Sequence, residues 1–362
     1  EMATSLEQFE LPEPTDPENC PPPKPADLSR YDIYPSDEIF ERVDYHAIEI
    51  SKRDHRTFRE LLWDLIYSQT FNELEIARAC FRWLTAKKME TITFNNEYDD
   101  ESPEFILTGF KRGDGSYAKV FEILCSYSGL QVMLVNGYAK GADYMPGDVF
   151  KFHPHNHSWT TVFINKNWYI IDPHWAMRYI NAETEEEHNL HVATDNEADL
   201  VYEYDNFYFI MDPAQAIFSH YPEDFKWALL PPEETYSIEE FTDFPVTKTQ
   251  FFRSHMTFTG GHRSVLNIDN GEGLLTFGYN HSVCFYFKLE YITGEHLNRR
   301  HNDINVSDYT LQETLRNALN LYIRLPFSGD YLLTIYSQVN AKNSAVPNTY
   351  RAACLYRLKC QA

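Results

Sequence analysis

The chain contains no run of 18 apolar residues anywhere in its 362 positions, so no segment reads as a transmembrane helix. It also lacks any Cys-x-x-Cys pair. Six scattered cysteines, Cys20, Cys80, Cys125, Cys284, Cys354 and Cys360, argue against a disulfide framework and for a reducing, cytoplasmic setting. Positive charge is scarce. There are 31 Lys and Arg against 54 Asp and Glu, a net charge of −23, and phosphate binding needs a cationic footprint, so nucleic acid is not an expected partner. Residues 1–30 have no apolar run of the kind that marks a secretory leader.

The acidity is uneven. Residues 1–50 hold 13 acids against 3 bases, residues 183–205 hold nine acids and no Lys or Arg, and from about residue 246 the chain turns slightly basic. Residues 1–30, with Pro21, Pro22, Pro23 and Pro25, read as a flexible acidic arm. Residues 31–206 read as a core of helices packed on strands. Within it Phe58, Leu61, Leu62, Leu65 and Ile66 share one helical face, and Asn72 with Glu75 forms a capping box before a second helix with a stripe of Ile76, Ala79, Cys80 and Trp83.

A third helix begins at 113–116, carries Tyr117, Val120, Phe121, Leu124 and Cys125 on one stripe, and ends at Gly129. Strands follow at 131–139, 157–164 and 168–171, the last two forming a hairpin about 165–167. Residues 181–206 read as an acidic excursion. Residues 207–255 read as an irregular aromatic and proline-rich connector. Residues 256–362 alternate in short strands, at 264–268, 274–279, 283–291, 318–325, 329–336 and 350–359, which predicts an antiparallel β-sandwich.

The segment Arg112-Gly113-Asp114-Gly115-Ser116-Tyr117-Ala118 is a small-residue turn running into an amphipathic helix. A cysteine nucleophile is activated by such a helix start, by a nearby imidazole and by a carboxylate that orients the imidazole. His157 and Asp172 lie 15 residues apart across the predicted hairpin, which can bring them side by side. The thiol is missing. Cys125 does not supply it, lying 11 residues beyond Asp114 and so roughly 16 Å along the helix. Asp114 is expected as a helix N-cap that pairs with His157. Asp114, His157 and Asp172, with His153, His155 and His174 close in sequence, offer an alternative set of oxygen and imidazole ligands for a divalent metal. Gly113-x-Gly115 is too short for a phosphate loop, and no cofactor is expected.

These residues carry a resemblance. The patterns Ala77-Arg78-x-x-Phe81-Arg82-Trp83, Gly113-x-x-x-x-Tyr117-Ala118-x-x-Phe121-x-x-Leu124-Cys125, His157-x-Trp159 and Trp168-Tyr169-x-x-Asp172-Pro173-x-Trp175 resemble the transglutaminase-like superfamily. Within it the nearer likeness is to the kyphoscoliosis peptidase and hillarin group. His220-Tyr221-Pro222, Trp227-x-Leu229-Leu230-Pro231, Gly329-x-Tyr331-x-Leu333-x-Ile335-Tyr336 and Cys354-x-Tyr356 resemble later segments of that group.

The resemblance implies an α+β papain-like, transglutaminase-type core followed by an immunoglobulin-like β-sandwich. It implies acyl transfer through a thioester, with His157 as general base and Asp172 as its orienting carboxylate. It also places Asp114 where the family has its catalytic Cys, and Ser116 at a family glycine. The expected protein is therefore a catalytically inactive relative that binds protein partners, cytoskeletal ones by the same resemblance. Ser116, Tyr117, Trp159 and Trp175 are expected along its groove. The alternative is a cysteine-independent hydrolase or cross-linker that uses Asp114 or a metal.

Overall fold

The structure is a computed structural model that describes residues 5–25, 27–150, 154–177, 179–180, 182–185, 190–193, 200–201, 204–261, 263–280, 283–292, 306–339 and 350–361. His153 and half of the acidic excursion at 181–206 lie outside the described residues. The backbone of that excursion contributes two short antiparallel strand pairs, Tyr179–Ile180 with Leu200–Val201 and Ala182–Glu185 with Leu190–Ala193.

The first half is a helical layer on an antiparallel sheet. Helix α1 (Glu41–Ser51) packs on α3 (Glu73–Ala86), with α2 (Phe58–Leu62) and a wider turn at Trp63–Tyr67 between them in the chain. The predicted face of α2 is buried in full, and the Asn72–Glu75 capping box forms. Helix α3 buries Ala79, Cys80 and Trp83 of the expected stripe but leaves Ile76 half-buried, and it buries every residue from Ala77 to Leu84, Arg78 and Arg82 included. A helix surrounded on all sides must satisfy its charges internally. Arg78 does so with a fork onto Asp44, Nε to Oδ1 at 2.6 Å and Nη2 to Oδ2 at 2.7 Å. Its guanidinium also lies over Phe40 and Phe209.

Helix α4 (Tyr117–Tyr127) packs against α3 and against strands β1 (Gln131–Ala139) and β2 (His157–Ile164). It ends as predicted: Gly129 has φ +85°, a left-handed conformation glycine adopts without strain, and Leu130 N donates to Cys125 O. Strand β3 (Asn167–Ile171) turns back from β2 through Asn165 and Lys166, at φ 48° and 68°, the geometry of a tight hairpin turn. A short helix, α5 (Pro173–Ala176), leaves β3, and β4 (His220–Pro222) completes the sheet in the order β3-β2-β1-β4. Gly137 is needed at the β1–β4 approach, where a Cβ would stand 2.3 Å from Tyr221 O.

Two sequence boundaries differ from the packing. The proline-rich stretch within 1–30 lies on the core rather than apart from it. Phe9 is buried against Trp63 and Tyr67, Thr15 Oγ1 donates to Leu130 O, and Trp168 Nε1 donates to Pro21 O. Proline removes donors but leaves carbonyls, and a buried indole N–H uses one. The 207–255 connector is likewise structural. Phe209 and Ile210 belong to the main core, and β4 is a strand of its sheet.

The second half is a two-sheet sandwich. Strands β5 (Val246–Thr247), β6 (Thr257–Phe258), β7 (Val265–Asp269), β8 (Glu272–Gly278), β9 (Val283–Tyr291), β10 (Thr310–Thr314), β11 (Ala318–Arg324), β12 (Gly329–Val339) and β13 (Arg351–Gln361) build it. One sheet runs β6-β8-β11-β10, and the other β7-β13-β12-β9 with β5 also on β13. Phe277, Leu319, Leu321, Tyr331, Leu333, Ile335 and Tyr356 fill the space between them. The alternating strands were legible; β5, β6 and β10 were not, being short or exposed edge pieces. Among the described residues, no helix is long and apolar enough to cross a membrane.

Candidate functional site

The site is built on the carboxyl end of β3 and the start of β2. The register Thr160↔Ile171 and Gly137↔His157, continued into β4 as Gly137↔Pro222, puts His157, Asp172 and His220 on one face of the sheet. Asp172 is fully buried. Its Oδ1 accepts the backbone N–H groups of His174 (2.9 Å) and Trp175 (3.1 Å), which makes it the N-cap of α5. Its Oδ2 meets His157 Nε2 at 2.7 Å and His220 Nε2 at 3.0 Å. Its own N–H is held by Tyr208 O.

Burial opposes ionisation of Asp172. The charge of His157 and its hydrogen bond, with the same two effects from His220, outweigh it and hold the carboxyl well below the usual carboxylate range. Burial pulls His220 the other way: its imidazole falls below its ordinary value despite the Asp172 contact, which favours the neutral ring. The neutral ring fits its contacts, with Nε2–H donating to Asp172 and Nδ1 accepting from Ser219 Oγ at 2.8 Å. The buried carboxylate therefore has two imidazoles on one oxygen and two amides on the other.

In front of His157 is an open cleft of about 520 Å³ lined by Phe110, Gly115, Ser116, Tyr117, Ala118, His155, Asn156, His157, Ser158 and His174. The His157 side chain is only 9 % exposed and uses Nε2 on Asp172; among the described residues its Nδ1 has no hydrogen-bond partner, so that nitrogen remains for a ligand. Tyr117 stacks on His174 at 5.3 Å and 12°. No cysteine lines the cleft. Cys80, Cys125, Cys354 and Cys360 are buried and Cys20 and Cys284 half-buried. Burial pushes the Cys125 thiol well above its ordinary value, consistent with a core side chain.

The expected residues separate into two groups. His157 and Asp172 come together as anticipated, and Ser116 and Tyr117 line the cleft. Asp114 does neither. Its side chain is 60 % exposed and pairs with Arg112 at 3.3 Å, it does not line the cleft, and no hydrogen bond joins it to His157. Nor does it cap the helix. Helix α4 starts three residues later, and Ser116 Oγ accepts from Lys119 N in the capping position. Gly113, at φ +81°, turns the chain after the short helix Gly109–Arg112, and the guanidinium of Arg112 at that helix's end draws the carboxylate outward. The set Asp114, His157, Asp172 is thus not assembled as metal ligands.

Trp159 is buried behind His157, at 6.1 Å between ring centres, and Trp175 is half-buried between His157 and His220. Both back the site rather than line its opening. His155 and His174, noted from sequence only as neighbours, are cleft residues. His220 is the site residue that spacing does not reveal, since 48 residues separate it from Asp172. The one signal was its place at the head of the His220-Tyr221-Pro222 pattern.

Comparison with known proteins agrees with this architecture. The transglutaminase-like superfamily profile matches residues 65–173, and the profile of the KY-like, immunoglobulin-like domain matches residues 238–362. Hillarin of Drosophila melanogaster is 28% identical over 355 residues, covering 95% of this chain and 42% of hillarin. The Lim and transglutaminase domain protein ltd-1 of Caenorhabditis elegans is 25% identical, over 96% of this chain and 48% of its own length. Kyphoscoliosis peptidase of Mus musculus is 25% identical, over 93% and 45%. The chain thus spans less than half the length of these relatives. The chain therefore joins a transglutaminase-like region, which ends at the His157–Asp172 pair, to a KY-like, immunoglobulin-like domain.

Proposed function

We propose that this chain is a catalytically inactive transglutaminase-like module that binds protein segments in the cleft before His157. The observation that carries the reading is the make-up of the cleft: ten lining residues and no thiol among them. Asp114, which the family resemblance would put at the nucleophile's position, faces Arg112. A carboxylate is in any case a poor nucleophile toward amides, since its acyl product is an anhydride. What remains is a buried, ordered His–Asp pair beneath an open slot with stacked aromatic and imidazole walls, which suits an extended peptide held without cleavage.

The partners are proposed to be proteins, and cytoskeletal ones by family resemblance, at a cytoplasmic site. NMR of the histidine ring protons during titration with an extended-peptide library tests this. The expected result is that binding peptides shift His157 and His174 signals and are recovered intact. Recovery of cleaved or cross-linked peptide would overturn the reading.

A further inference from the structure

We infer that His157, Asp172 and His220 form a binding site for one divalent transition-metal ion. The inference goes beyond the peptide-binding reading and stands whether or not the cleft takes a peptide. Two imidazole nitrogens and a carboxylate oxygen are a donor set suited to iron(II), manganese, cobalt or zinc. Here the three donor atoms lie within 4.8 Å of one another. The two measured edges, Nε2 to Oδ2, are 2.7 and 3.0 Å. Ligands cis to each other on an octahedral ion with arms of about 2.1 Å stand about 3.0 Å apart, close to the two measured edges, and the remaining edge between the imidazole nitrogens lies within the 4.8 Å bound.

The surrounding shell is already ordered. Oδ1 of Asp172 is fixed by two backbone amides, and Nδ1 of His220 by Ser219 Oγ. Such outer contacts orient ligands in metal sites. Metal binding asks for a tautomer change in which each Nε2 offers its lone pair. His220 Nδ1–H then donates to Ser219 Oγ, and that contact is kept. His157 lines the cleft, which gives an ion a way in, and its Nδ1 has no partner among the described residues to resist the change. The set differs from the one read in sequence by having His220 in place of Asp114.

The full chain, stripped with chelator, is titrated with Co²⁺ and followed by its visible d–d absorption and by calorimetry with Co²⁺, Mn²⁺ and Zn²⁺. One equivalent should bind at micromolar or tighter affinity. His220→Gln should weaken binding at least about tenfold, whereas Asp114→Asn and the exposed-site control His255→Gln should leave it unchanged. Far-UV circular dichroism checks that His220→Gln folds, and His157→Gln, at the cleft wall, provides a second ligand variant. Absence of binding above buffer, or binding that both ligand variants retain, overturns the inference.

Discussion

Asp114 and Asp172 show how environment divides two carboxylates. Asp172 is enclosed and holds two rings and a helix start; Asp114 is open to solvent and answers to Arg112. A thiol placed at the exposed position would be accessible, beside a guanidinium, but not in the cleft with His157. We therefore predict that Asp114→Cys gains rapid alkylation by iodoacetamide at pH 7 over the native chain, whose cysteines are buried or half-buried. Adding His157→Ala should leave that rate within about twofold, because thiolate formation would come from Arg112; a tenfold fall would mean that the imidazole reaches residue 114. Asp172→Ala, by contrast, leaves two buried imidazoles without their acceptor and α5 without its cap. It should cost about 3–5 kcal/mol in urea unfolding. The pair His157–Asp172 was legible because a hairpin fixes its register locally. The outward turn of Asp114 was not, because a glycine at positive φ and a neighbouring arginine decide it. His220 was not, because only the pairing of β1 with β4 brings it in.

An apolar stripe on α3 was visible, yet a helix buried all round shows itself only when its arginines find partners inside. Asp44 on α1, Phe40 before it and Phe209 far along the chain supply them for Arg78. Arg78→Ala should therefore cost about 3 kcal/mol, by removing the fork on Asp44 and leaving that carboxylate only the longer contact to Arg82 Nε at 3.4 Å, and Arg78→Lys should recover only part of it, since an ammonium cannot make the fork. Chemical denaturation of the three proteins measures the order; equal stability of the Lys variant and the native chain would contradict it. The sandwich strands were legible from alternation because each has one face inside. The edge strand β10 was not: four of its five residues are exposed and show no alternation.

At the scale of the whole molecule, the core and the sandwich are tied by a cluster in which Tyr144 of the core meets Val246, Leu332 and Leu355 of the sandwich. Lys140 lies at the same junction, its Nζ donating to Phe244 O at 2.8 Å. Burial pulls its ammonium from an ordinary 10.5 down to about 7, against a smaller upward pull from Asp243. The unfolded chain therefore holds this proton up to about 10.5 while the folded chain releases it near 7, so the burden on stability is full below about 7 and disappears as pH rises toward 10.5. Lys140→Met should be more stable than the native chain at pH 7 and lose that advantage by pH 10, as read by urea midpoints at both values; an advantage that does not change with pH would contradict the burial account. No sequence pattern announces this junction, since residues 140 and 244 meet only once both halves are folded.

The central claim is that the cleft lacks a working nucleophile. It is tested most directly by measuring turnover of the native chain in parallel peptidase and amine-incorporation assays, beside His157→Ala and Asp114→Ala. The account predicts that the native chain releases and incorporates no more product than either variant. Turnover by the native chain that Asp114→Ala or His157→Ala abolishes would contradict it.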